Sequence, residues 1–326
     1  MQLFDPTAPV PLGIVFDTAM QSIDDVLALA LLFGFDGKRD ARMVSLSVSR
    51  PSLKAAAFCD AVSRFYAGPA AAFMRLLPVG MQTEGPKPAG PEPMLETPLL
   101  KPEYKHTIQQ MNDTADPAAV IRNAFTSQKD GNSVAVLSGP CTNYAQTLSL
   151  PGVPELIGRK AKFLVVVMPE QPDPAMEKFL SAWPTPVVIA TRDIGDQILY
   201  PASSIEKDYA WSPAHPIVDA YKAYKPMPYD APTATMAGLL YAVRSKEGYF
   251  KLSDPGTASF VGGKLKITPS AQGKHRQLTF DPDQKDRILK VYTEVCSTKP
   301  VPRMPRFRPM VDEEKKDEEK PKAPTP

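Results

Sequence analysis

Apolar and polar positions along the chain sort into short, wholly apolar runs alternating with stretches of helical period. Residues 12–16 form such a run between Pro11 and a polar turn, the pattern of a strand buried on both faces. Asp24 to Phe33 reads as a helix, with Ser22 as its N-cap and Gly34 near its C-terminal stop. Met43 to Val48 is a second strand, and Ser52 to Tyr66 a second helix with Ser52 as a cap after Pro51. Residues 78–105 are rich in Pro and Gly and read as a long surface loop. Pro117 to Gln128 is helical with Asp116 as cap, and Ser133 to Leu137 is a strand that Gly139-Pro140 ends. Ala161 to Met168 is a strongly apolar strand, Pro174 to Trp183 a helix and Val187 to Thr191 a further strand. Pro216 to Tyr224 and Thr233 to Val243 are helical, residues 249–280 suggest hairpins, and Asp283 to Cys296 closes the order with a helix. This alternation predicts an α/β fold: a mainly parallel central sheet, helices on both faces, and a small β-rich C-terminal region.

Composition adds bounds. The chain has 326 residues, 43% of them hydrophobic, enough for a large α/β core. We expect residues 1–310 to form one domain. Val311 to Pro326 carries six acids, four lysines and three prolines with almost nothing apolar, the composition of a disordered tail. A net charge of +2 supplies no global field for nucleic acid or a membrane surface. The longest apolar runs are too short to span a bilayer. The N-terminus shows no basic region followed by an apolar core, so no signal peptide is visible and a cytoplasmic location is the default expectation. Three widely spaced cysteines, Cys59, Cys141 and Cys296, exclude a disulfide framework and a compact cysteine metal site.

Chemistry concentrates where a doubly wound sheet binds ligands, beyond the carboxyl ends of its strands. Asp17, Asp24 and Asp25 follow the first strand, and Ser49 and Arg50 the second. Thr142 and Asn143 follow Leu137-Ser138-Gly139-Pro140, and Glu170 follows Met168. Tyr229-Asp230 precedes the late helix. Three acids around one strand end are costly without a positive partner, and a hard cation such as Ca²⁺ or Mg²⁺ suits oxygen ligands. Asp24-Asp25 equally fits as a pair of helix N-terminal acids, and Thr142-Asn143 and Asp230 as turns or caps. Arg50 either pairs with a nearby acid or occupies the cation position itself.

The run Asp17-Thr18-Ala19-Met20-Gln21-Ser22-Ile23-Asp24-Asp25-Val26 resembles the Asp-Thr-Asp-x-Gly-x-Asp-Asp-Ala signature of the inosine-uridine-preferring nucleoside hydrolases. Gly139-Pro140-Cys141-Thr142-Asn143 is similar to that family's Gly-Pro-Leu-Thr-Asn, and Tyr229-Asp230 to its late His-Asp. The resemblance implies hydrolysis of the N-glycosidic bond of a nucleoside or riboside, with a Ca²⁺ that holds the ribose hydroxyls and a carboxylate that activates water. It implies metal ligation by Asp25, Asp230 and the Thr142 carbonyl, and ribose contacts from Asp24 and Asn143, with Arg50 at the family's asparagine position. Asp17 supports the site. Family relatives are often homo-oligomers. Asp17 and Glu170 are the candidate substitute bases, and His215 the candidate acid.

The departures are chemical. The family's second acid, at once ligand and base, falls on Ala19, whose methyl does neither job. The turn is one residue longer, and its glycine is replaced by Gln21 or Ser22. A Met-Gly-Gly turn becomes Met168-Pro169-Glu170, a ribose-binding segment shrinks to Gln171-Pro172-Asp173, and the late histidine is Tyr229. A positioned general base is worth roughly 10²–10⁴ in rate. A catalytically impaired relative that binds a nucleoside or polyol, or serves in assembly, is therefore the alternative expectation.

Overall fold

The structure is a computed structural model describing residues 10–72, 76–169, 172 and 174–301. The expected tail, 311–326, and the candidate base Glu170 lie outside the described residues. The first half of the order is β1 (Leu12–Thr18), α1 (Ile23–Lys38), β2 (Ala41–Val48), α2 (Leu53–Ala67), β3 (Val79–Met81), α3 (Pro93–Leu99), α4 (Pro117–Ser127) and β4 (Ser133–Ser138). Then come α5 (Thr142–Leu148), α6 (Val153–Lys160), β5 (Ala161–Val167), α7 (Ala175–Ala182), β6 (Val187–Ala190), α8 (Arg192–Gln197), α9 (Ala202–Lys207), α10 (Pro216–Tyr224) and α11 (Ala234–Arg244). The chain closes with β7 (Lys251–Leu252), β8 (Gly256–Val261), β9 (Lys264–Pro269), β10 (His275–Thr279) and α12 (Lys285–Cys296).

The strands form one ten-stranded sheet in the order β3-β2-β1-β4-β5-β6-β10-β8-β9, with β7 on β10. From β3 to β6, and on to β10, every pairing is parallel; β8, β9 and β7 join antiparallel. The expected α/β class and mainly parallel sheet are thus observed. Both faces are covered. Ile14 and Phe16 of β1 pack with α1, α2, α10, α11 and α12, whereas Val15 packs with Ile121 and Phe125 of α4, Tyr144 of α5, Ile157 of α6 and Trp183. The period-2 geometry of a strand sends neighbouring residues to opposite faces, so a run apolar at every position needs both layers.

Local signals set many boundaries. Ser22 caps α1, its Oγ accepting from Asp25 N at 3.2 Å while Asp25 Oδ2 accepts from Ser22 N at 3.2 Å, a reciprocal capping box. Ser52 and Asp116 cap α2 and α4 as their positions predict. Two expectations are corrected. Gly34 does not stop α1, which runs on to a left-handed Arg39. Gly34 instead lets α12 approach, because a Cβ there would lie 2.0 Å from the Val295 carbonyl oxygen. The 78–105 stretch is not wholly loop: it holds β3 and α3, both too short to leave a periodic signal. The 249–280 region contains the expected hairpin, β8–β9, and β10 pairs antiparallel with β7 and β8 while its other side joins β6 in parallel.

The strand order places the switch point between β1 and β4. From β1 the chain moves outward to β2 and β3, then returns to the other side of β1. The loops after β1 and β4 therefore diverge above the sheet and leave the crevice where ligands of such sheets bind.

Candidate functional site at the switch point

Asp17 ends the apolar part of β1 and is fully buried. Its Oδ2 accepts from Ser47 Oγ of β2 at 2.5 Å and from Asn143 Nδ2 of α5 at 2.7 Å. Asn143 Nδ2 also donates to the Val48 carbonyl at 3.1 Å, and its Oδ1 accepts from Gln82 Nε2 at 3.3 Å. Burial pushes the Asp17 carboxyl up to about 7, against the hydrogen bonds of Ser47, Asn143 and Ser49. Ser49 is near enough to ease ionisation of Asp17, yet its hydroxyl and Asp17 Oδ1 are both buried without a partner in hydrogen-bond geometry. The absent side chain of Gly139 gives this corner its closeness: a Cβ there would fall 2.7 Å from Ser49 Oγ and 2.9 Å from the Ala19 Cβ.

Asp24 and Asp25 enter on the first turn of α1, 6% and 4% exposed. Asp24 reaches across to the start of α11, its Oδ2 accepting from Thr235 N at 2.6 Å and its Oδ1 from Met236 N at 3.2 Å. These are amides that a helix N-terminus leaves without an internal partner. Burial, then the neighbouring Asp25, raises the Asp24 carboxyl to about 7. Asp25 is more fully engaged. Its Oδ1 accepts from Ser138 Oγ at 2.6 Å and Thr235 Oγ1 at 3.3 Å. Its Oδ2 accepts from Gln21 N at 3.0 Å and Ser22 N at 3.2 Å. Thr235 has a single hydroxyl proton and also lies 2.9 Å from Ser138 Oγ, so three or four of the roughly four acceptor positions of the Asp25 carboxylate are taken by the protein.

Arg50, 6% exposed, turns inward from the end of β2. Its Nε donates to the Ala19 carbonyl, and one terminal nitrogen donates to the Met20 carbonyl at 2.9 Å and pairs with Glu92. Its ion-pair partner among the described residues is Glu92 rather than Asp25. Ser52 Oγ holds the second Glu92 oxygen at 3.0 Å.

Of the remaining candidates, Thr142 stands beside the site, and Asp230 and His215 stand away from it. Thr142 opens α5 and thereby positions Asn143. Asp230 is exposed and accepts from Ala202 N at 2.8 Å, at the start of α9. The residue that reaches the acids from the late helix is Thr235. His215 caps α10 through Nδ1 and lies among Phe65, Tyr66, Tyr209 and Trp211, with ring centroids 4.6–5.8 Å away. Tyr66 stands near the far end of α2 from Ser52, about 20 Å of helix away at 1.5 Å per residue. His215 therefore lies towards the far end of α2, away from the acids, and burial lowers its pKa to about 3. Ser47, Ser138, Thr235, Gln82 and Glu92 complete the site without having stood out in the sequence. Single hydroxyls and one acid in a proline-rich stretch carry no spacing signal; only Ser138, abutting Gly139-Pro140, lay inside a motif already singled out.

The donor set bears directly on the metal that the resemblance implies. Among the described residues no group of three or more His, Cys, Asp or Glu side chains is arranged to hold a metal ion. Asp25 is held on both oxygens by protein donors, Asp24 binds amides, Asp230 bonds the start of α9, and a guanidinium holds the turn carbonyls. The residues present do not fit Ca²⁺ ligation. What the arrangement does chemically is neutralise buried charge within the protein.

Neither protein-family models nor curated protein sequences give a match. Solved structures do. A plant nucleoside hydrolase superposes with a TM-score of 0.65 at 14% identity, covering 88% of this chain and 99% of that one. A purine-preferring ribonucleoside hydrolase from Gardnerella vaginalis gives 0.64 at 13%, covering 87% and 98%. The inosine-uridine preferring nucleoside hydrolase from Bacillus anthracis gives 0.62 at 14%, covering 88% and 99%. Likeness at such low identity, along nearly the whole of each partner, is a likeness of backbone: the chain has the nucleoside hydrolase fold.

Proposed function

We propose that this protein is a non-hydrolytic relative of the nucleoside hydrolases, acting by association rather than by turnover. The observation that carries this reading is the engagement of both Asp25 oxygens by protein donors, Ser138 on one and the Gln21 and Ser22 amides on the other. Ala19 compounds it, since a methyl group neither ligates a cation nor takes a proton from water. Asp17 is no substitute base, because its carboxyl is sealed behind Ser47 and Asn143. Losing a general base alone removes roughly 10²–10⁴ in rate, and losing metal orientation of the sugar removes more. We place assembly with a protein partner ahead of ligand binding because Arg50 and Glu92, the charged groups beside the β1–α1 turn, are largely buried and paired with one another.

The test is an assay of natural ribonucleosides and p-nitrophenyl riboside with Ca²⁺ and with a chelator. No release above a protein-free control is expected; release that the chelator abolishes would overturn the proposal. A solved effector protein of related fold, at 11% identity and a TM-score of 0.55, is complexed with adenosine diphosphate ribose. That compound and the nucleosides form the calorimetric panel, for which no binding heat is expected.

A further inference from the structure

The turn between β1 and α1 directs oxygen atoms at a single point. Met20 takes a left-handed conformation, φ 48°, which is uncommon for a side-chain-bearing residue. In that conformation the consecutive carbonyls of Ala19 and Met20 both meet the Arg50 guanidinium. Glu92 meets the same guanidinium from the start of α3. The peptide joining Met20 to Gln21 is held at both ends: its oxygen accepts from Arg50 at 2.9 Å, and its N–H donates to Asp25 Oδ2 at 3.0 Å. One peptide plane thus separates the guanidinium from the Asp25 carboxylate.

Two carbonyls and a carboxylate, with a second carboxylate one peptide behind, make an all-oxygen donor set of the kind hard divalent cations take. We propose that Arg50 is a built-in substitute for a divalent cation, and that the turn from Ala19 to Ser22 together with Glu92 is a latent cation site which the guanidinium fills. Guanidinium suits the place because it is planar, always charged and able to donate to several oxygens at once. Without it, the Glu92 carboxylate and two carbonyl oxygens would face one cavity, with Asp25 behind the Met20–Gln21 peptide. A doubly charged ion would balance the two carboxylates. The inference deepens the non-hydrolytic reading, and rests on it only in holding that the native chain recruits no metal here.

The experiment compares the full chain with Arg50→Asn and Arg50→Lys, each titrated with Ca²⁺ by calorimetry and followed by thermal unfolding. The native chain is expected to give no binding heat and no shift in Tm at millimolar Ca²⁺. Arg50→Asn is expected to melt lower, to bind one Ca²⁺ and to recover part of the lost Tm on binding it. Arg50→Lys, which keeps a cation in place, is expected to remain insensitive to Ca²⁺. An Arg50→Asn chain that folds but ignores Ca²⁺ overturns the latent site and leaves the non-hydrolytic reading standing. An Arg50→Asn chain that stays unfolded with and without Ca²⁺ also counts against the latent site. Binding of Ca²⁺ by the native chain, if lost in Asp25→Ala, overturns both.

Discussion

At the scale of single residues, buried acids give this protein an unusual dependence on pH. Asp17 and Asp24 both titrate near 7, against an ordinary value of 3.8, because burial penalises their charged forms. Below about 4 each is protonated whether the chain is folded or not. Between about 4 and 7 the unfolded chain releases those protons while the folded chain keeps them, so stability falls as pH rises. His215 acts in the other direction: held near 3 against an ordinary 6.5, it costs stability as pH falls from about 6.5 towards 3. Asp17→Asn removes one acid's share and keeps a side chain of the same shape. Urea unfolding from pH 4 to 8 is expected to show the native chain losing stability relative to Asp17→Asn as pH rises, with the difference levelling off above about 7. A pH-independent difference would place the Asp17 proton elsewhere. A second expectation concerns Asp24, which holds two helix amides. An unpaired buried donor costs about 1–3 kcal/mol, so Asp24→Ala should lose at least that much in the same measurement.

At the scale of elements, two glycines of α1 separate helix propensity from packing. Ala is favoured over Gly in a helix interior by about 0.8–1.0 kcal/mol. At Gly37 the nearest atoms to an added Cβ lie 3.6 Å away, an ordinary contact, so Gly37→Ala is expected to raise Tm. At Gly34 the added carbon would lie 2.0 Å from the Val295 carbonyl oxygen, and α12 would have to move. Overpacking typically costs about 1–3 kcal/mol, which exceeds the propensity gain, so Gly34→Ala is expected to lower Tm. Calorimetric unfolding of the two variants side by side checks both signs. The same contact shows why reading Gly34 as a helix stop misleads: the residue type that ends helices also admits a neighbouring backbone, and periodicity alone does not separate the two uses.

At the scale of the whole molecule, stability should grade from the centre of the sheet to its β-rich edge. Val134–Leu137 and Leu164–Val166 are fully buried between two helical layers, whereas Val261 at the β8–β9 turn is 63% exposed. Hydrogen exchange by mass spectrometry is expected to be slowest in β1, β4 and β5 and fastest, among strands, in β8 and β9. Uniform protection across the sheet would contradict this gradient. The switch point lies in the most protected part, between β1 and β4.

The chain by itself determined the longer strands and helices, though not the short β3, α3, α5, α6, α8 and α9, together with the caps at Ser22, Ser52 and Asp116, the α/β class and the address of the polar cluster beyond β1. These follow from period, cap chemistry and turn residues within a few positions of one another, and so they can be read locally. It also placed a methyl group at residue 19, where the resembling family has its acid. Only the tertiary structure decided what the polar residues do. Asp24 meets an amide 211 residues away, Asp25 a hydroxyl 113 away, and Arg50 a carboxylate 42 away in a stretch that reads as loop. A buried lone pair or N–H must find a partner wherever the fold brings one, and that matching leaves no trace in spacing. The same three acids would make a cation site or a closed polar core, and their distant partners select the core.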